Sequence, residues 1–206
     1  MNRREFLRYT VEAGLMAGLA GTCLALSADG RYVRPPGAIA EEHLYRKCVK
    51  CGVCVEVCPT RALDFVGLSW DLKNIGTSRL NTRHGGCIAW RRSCLKCAEA
   101  CPTGALVKPA DIKLVRMGSA LVRETECINC MMCFRECPIE GAVLFPNPNG
   151  EPYRRLLDIP SALADRHSHL KVYIDNSLCV GCGLCAHVCP PKCIDMSPQH
   201  EVRIGA

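Results

Sequence analysis

One cysteine spacing recurs along the chain. Cys48, Cys51, Cys54 and Cys58 precede Pro59; Cys127, Cys130, Cys133 and Cys137 precede Pro138; Cys179, Cys182, Cys185 and Cys189 precede Pro190. All three read C-x2-C-x2-C-x3-C-P. A further copy, Cys87, Cys94, Cys97 and Cys101 before Pro102, keeps the spacing of its last three members and displaces its first upstream. Arg91 stands where the regular run would have a cysteine. A repeat of this kind constrains the fold before any other pattern does. Each copy gathers thiols in one short loop, and the proline disfavours helix at the last of them.

The chain has 18 cysteines in 206 residues but only 2 Trp, 5 Tyr and 4 Phe, so cross-links or metal must organise an interior poor in large side chains. Disulfides need specific separations and do not explain a fourfold repeat of one spacing. A c-type haem needs C-x-x-C-H, and no such pair here is followed by His. Zinc ribbons use two separated pairs, not a run of three with a trailing C-P. The run is the bacterial ferredoxin signature for 4Fe-4S clusters. Three thiols spaced in this way let one loop curl around a cubane, and Gly52, Gly181 and Gly183 would let the backbone come close. The fourth thiol is held off by a turn and can reach a neighbouring cluster. The sequence therefore predicts four 4Fe-4S clusters with the sixteen quartet cysteines as iron ligands; the departure from the motif falls on Cys87.

The N-terminal "NRREFLR" pairs Arg3 and Arg4 ahead of Phe6-Leu7 and Arg8, and a weakly apolar Gly/Ala-rich stretch follows. This resembles a twin-arginine export signal over residues 1–29, with small residues at Ala25, Ser27 and Ala28 suited to cleavage. A retained anchor is the alternative. That route carries folded proteins, so clusters would be loaded in the reducing cytoplasm before export. The expected location is periplasmic, free or attached at the outer face of the cytoplasmic membrane. The formal charge of +6 has its basic residues scattered, the longest runs being pairs such as Arg91-Arg92. That pattern argues against nucleic acid. An oxidised cubane with four thiolates carries about −2, so four would leave the loaded chain slightly negative.

The segments after the quartets also repeat: "CPTRALDF", "CPTGALVK", "CPIEGAVLF" and "CPPKCIDM". Each reads as a turn into a short strand, while "SALVRETEC" and "KVYIDNSLC" read as strands leading into the third and fourth quartets. The expected fold is α+β: two ferredoxin-like modules, each with two clusters. Cys193, four residues past the last quartet cysteine, reads as a small buried residue, and Cys23 lies in the signal. Residues 67–86 and 146–170 read as solvated loops, with His167 and His169 exposed. No nucleotide loop or nucleophile–base pair is visible, so no catalytic residue is assigned.

The export signal, then "RPPGA" (Arg34 to Ala38), then four quartets resembles the NapG/MauM ferredoxin-type family across nearly the whole chain. The resemblance implies a periplasmic protein with four 4Fe-4S clusters. It would relay electrons from a membrane-bound quinol dehydrogenase protein to a periplasmic reductase or dehydrogenase, nitrate reductase being one example. Membrane association would come through the partner or an uncleaved signal. Two alternatives are the iron–sulfur subunit of an exported molybdenum oxidoreductase and a maturation factor of the methylamine-utilisation type. "RPPGA" is one candidate docking segment, since its prolines favour extended backbone.

Four segments are expected: 1–29 the signal, 30–66 the first motif, 67–145 the second and third motifs, and 146–206 a linker and the fourth motif packing with the first. In that nested arrangement Cys58 joins Cys179, Cys182 and Cys185, and Cys189 joins Cys48, Cys51 and Cys54. Cys101 then joins Cys127, Cys130 and Cys133, and Cys137 joins Cys87, Cys94 and Cys97. Sequential pairing uses the same residues.

Overall fold

The computed structural model describes residues 32–69, 71–161, 163 and 168–198, with residues 2, 4, 6, 8–16 and 18 of the N-terminal segment. Two compact units are present. The smaller combines residues 1–30 with 66–76. Its residues 8–16 are helical, with Arg8 paired to Glu12 at 2.9 Å. Arg3, Cys23 and the small residues Ala25, Ser27 and Ala28 lie outside the described residues, as does His167. Among the described residues no helix is long and apolar enough to cross a membrane.

The larger unit, residues 31–65 and 77–206, is mixed α+β, built from very short elements. Its first half runs α1 (Glu41–Lys47), α2 (Val53–Glu56), β1 (Leu63–Phe65), β2 (Ser78–Leu80), α3 (Ala89–Arg92) and α4 (Lys96–Glu99). The second half runs β3 (Gly118–Val122), α5 (Met132–Glu136), β4 (Val143–Leu144), β5 (Tyr173–Ile174), α6 (Leu184–Val188) and β6 (Ile194–Pro198). One-turn helices of this length have no stability alone, because nucleation costs more than a few bonds return. Packing holds them: α2 lies against α4, and α5 against α6.

Antiparallel pairing follows one plan in both halves. The strand after the leading quartet pairs with the strand before the trailing one: β1 with β2, and β4 with β5. The chain entering the leading quartet pairs with the strand leaving the trailing one. In the second half this is β3 with β6, from Gly118↔Pro198 to Val122↔Ile194. In the first half it is the single bridge Ala38↔Leu106.

This topology corrects the nested arrangement. The strand ahead of the fourth quartet pairs with β4, which follows the third quartet, and not with β1. The chain after Cys101 turns back to Ala38 instead of forming a hairpin with "SALVRETEC". Local spacing is the same in either arrangement; strand register decides between them.

Three further segments differ from expectation. Residues 78–80 form a strand, and Thr77 just before it is fully buried. In the 146–170 segment Tyr153 bridges the buried Phe145, and Leu156 and Ile159 pack on the core; His169 is exposed as expected. "RPPGA" is buried from Arg34 to Ala38 and is not a docking surface. Arg34 pairs with Glu41 and donates to Thr77 Oγ1 at 2.8 Å and to the Ser78 carbonyl at 2.7 Å. Its guanidinium also lies over the Tyr32 ring. Gly37 has φ +83, and a Cβ there would stand 2.1 Å from the Val107 carbonyl oxygen, so no side chain fits.

Candidate metal centres

The quartet loops share a backbone device. Left-handed residues flank the second cysteine of each regular run: Lys50 and Gly52, Asn129 and Met131, Gly181 and Gly183. The helix starts directly after the second member of each pair. Such turns aim successive N–H groups into one concavity, which suits an anionic group. Non-glycine residues there carry a cost of about 1 kcal/mol or more each, and Lys50, Asn129 and Met131 bear it. The irregular quartet keeps the first such residue, Ser93, and lacks the second.

The thiols gather into sets that exchange their fourth members within each half. Cys137 lines one cavity with Cys179, Cys182 and Cys185. Cys189 lines another with Cys127, Cys130 and Cys133. Cys58 lines a third with Cys87, Cys94 and Cys97. Cys101 packs on the same apolar cluster as Cys54, whose thiol feels Cys48 and Cys51. The sets are therefore sequential, first quartet with second and third with fourth. Cys87, the displaced member, lies with Cys97 and Cys58 as a ligand would.

Burial differs between the sets. Cys179, Cys182, Cys185 and Cys189 are all buried, whereas Cys51 is exposed. Desolvation pushes the thiols of Cys87, Cys97, Cys133 and Cys182 up to about 12. Cys101 goes the other way: burial is outweighed by bonds from the Leu106 N–H and from Thr103. Buried thiols become thiolates only beside a compensating cation, since burial disfavours the charged form.

The residues fit an iron–sulfur cubane. None of the seventeen described cysteines forms a disulfide. Among the described residues no three or more His, Cys, Asp or Glu converge on a single ion. The walls are apolar, and the indole N–H of Trp90, which shares an apolar cluster with Cys87 and Cys182, is buried without a protein partner. An N–H in that place suits a sulfur acceptor. Nothing in the sequence marks Trp90 beyond its place among the extra residues between Cys87 and Cys94. Cys193 is a small buried residue, as expected, but its Sγ is 3.5 Å from Cys189 Sγ at the rim of a cavity.

Comparison with known proteins agrees with this grouping. The 4Fe-4S dicluster domain family matches residues 47–105 and 126–193, each holding two consecutive quartets. The fold and site thus define an iron–sulfur protein of the ferredoxin type. The methylamine utilization ferredoxin-type protein MauM of Paracoccus denitrificans is 33% identical over 204 residues, 92% of this chain and 83% of that protein. MauM of Methylophilus methylotrophus is 39% identical over 169 residues, 76% and 66% of the two chains. The ferredoxin-type protein NapG of Escherichia coli is 33% identical over 200 residues, 91% and 80%. The chain belongs to the NapG/MauM ferredoxin-type family.

Proposed function

We propose that the sixteen quartet cysteines hold four 4Fe-4S clusters, two in each of two ferredoxin-like modules, and that the chain relays electrons through them. Each cluster supplies one reversible electron when bound. The protein's part is to hold the thiols in order, exclude water and set potentials by charge and hydrogen bonds. The observation that carries this reading is the exchange of fourth cysteines within each half, joined across the halves where the Cys87 N–H donates to the Cys182 carbonyl at 2.8 Å. The sites then follow the order Cys48/51/54/101, Cys58/87/94/97, Cys137/179/182/185, Cys127/130/133/189.

The proposed setting is the periplasm, reached by the twin-arginine route. The proposed donor is a membrane-bound quinol dehydrogenase protein, and the acceptor a periplasmic oxidoreductase such as nitrate reductase; the similarity to NapG supports this. The MauM names of other relatives favour a second reading, service to a dehydrogenase of methylamine utilisation. Anaerobically purified protein should contain about sixteen irons, four per cluster. Membranes from a deletion strain should lose quinol-driven reduction of the periplasmic enzyme, regain it on adding this protein, and not regain it with Cys48→Ser. Normal reduction without the protein, beside an immature partner enzyme, would favour a maturation role instead.

A further inference from the structure

The residues that displace Cys87 from Cys94 form α3, where the two halves meet. Trp90 packs against Val180, Cys182 and Leu184 of the second half. Arg91, at the place of the missing cysteine, pairs with Glu136 of the second half. Its Nη1 donates to Glu136 Oε2 at 2.8 Å and its Nη2 to the Glu136 carbonyl at 2.8 Å. A guanidinium held at two points is fixed in place, unlike a lysine ammonium on a flexible stem. Glu136 immediately precedes Cys137, so this positive charge is anchored on the backbone one residue from a thiol of the other half.

We propose that Arg91 raises the reduction potential of the cluster held by Cys137, Cys179, Cys182 and Cys185, and not that of the cluster on its own loop. The inference rests on the cluster reading above. Reduction adds one negative charge to an anionic group, so a fixed cation beside it favours the reduced form. The Glu136 carboxylate acts in the opposite sense on the same cluster. The pair is partly exposed, at 39% and 36% of the side-chain surface, so solvent screens part of both effects. The irregular quartet thereby keeps its four thiols and gains a side chain that sets the cluster across the joint. A regular run at this place would have a cysteine instead of the arginine.

The test is an anaerobic potentiometric titration of the full-length loaded protein, followed by electron paramagnetic resonance. Cys137→Ser identifies the signal of the cluster concerned. Arg91→Gln is expected to lower the midpoint potential of that signal, Arg91→Lys to leave it near the wild-type value, and Glu136→Gln to raise it. A merely structural role would move the Gln variants in the same direction, and that result overturns the proposal. So does a shift confined to a signal that Cys137→Ser leaves untouched. Full iron content with an unmoved potential in Arg91→Gln overturns this inference alone, whereas iron-free wild-type protein overturns the cluster reading with it. If Arg91→Gln does not fold, the opposed signs are read from Glu136→Gln and Arg91→Met; a fall in Glu136→Gln refutes the idea.

Discussion

In the second half, the chain entering the third quartet pairs with β6 over five positions; in the first half, the equivalent pairing has shrunk to Ala38↔Leu106. Other contacts replace the missing ladder there. The buried Arg34 ties Glu41 to Thr77 and Ser78, and the Pro35-Pro36-Gly37 turn closes against Val107. The fourth quartet, alone among the four, has all its thiols buried. The fourth quartet is covered by β3, β6 and the joint with α3, while Cys51 opens to solvent between the exposed Val49 and Val53. A sheet of several paired residues shields a site on its own; a strap of proline, glycine and one guanidinium holds the backbone and leaves an edge open.

The largest test of that contrast compares Cys182→Ser with Cys51→Ser. Serine at 182 puts an unpaired hydroxyl in a buried cavity, at a cost of about 1–3 kcal/mol, and removes a proposed ligand at the joint. Iron content and soluble yield should both collapse. Serine at 51 faces solvent and should cost one cluster, leaving about twelve of sixteen irons at four per cluster. Equal losses would show that the halves do not differ in this way.

Gly37→Val should have an intermediate effect. The side chain must enter the left-handed region and displace the Val107 carbonyl, at about 3 kcal/mol or more. Thermal release of iron should become biphasic, with the first-half iron leaving early and the second-half iron at the wild-type temperature. A single shifted transition would mean that the strap supports both halves.

Lys50→Gly should give the smallest change. Gly181 holds the same position in the fourth quartet at φ +72, whereas Lys50 holds it at φ 56 with a side chain. Removing that strain is worth roughly 0.5–1 kcal/mol, partly offset by the unfolded chain's entropy. Iron release to a chelator should slow slightly. The reverse change, Gly181→Ala, brings a Cβ to 2.4 Å from the Gly118 nitrogen and should disrupt the second half.

Much of the local plan was legible. The strands read from "ALDF", "GAVLF" and "KCIDM" are β1, β4 and β6, and those read from "SALV" and "KVYI" are β3 and β5. Each follows from apolar β-formers placed a fixed step from a C-P turn. The strand at residues 78–80 was not legible, because Ser78, Arg79 and Leu80 sit in a polar stretch and owe their conformation to β1. "RPPGA" was visible as a distinctive segment, but its proline content read as extended and available, when burial beneath Leu106 and Val107 is what it serves.

By itself the sequence determined the quartets, the class of cofactor they suit and the α+β elements around them. Those properties depend on steps of two to four residues, which a short loop obeys wherever it lies. Only the tertiary structure decided which loops exchange their fourth cysteine, where Arg91 points and what covers Arg34. Cys58 reaches the Cys94 loop because β1 pairs with β2, and Cys189 reaches the Cys127 loop because β3 pairs with β6. Nested and sequential arrangements satisfy every local spacing equally. The choice between them lies in contacts between residues far apart in the chain, set by strand register and by the packing of one-turn helices that do not stand alone.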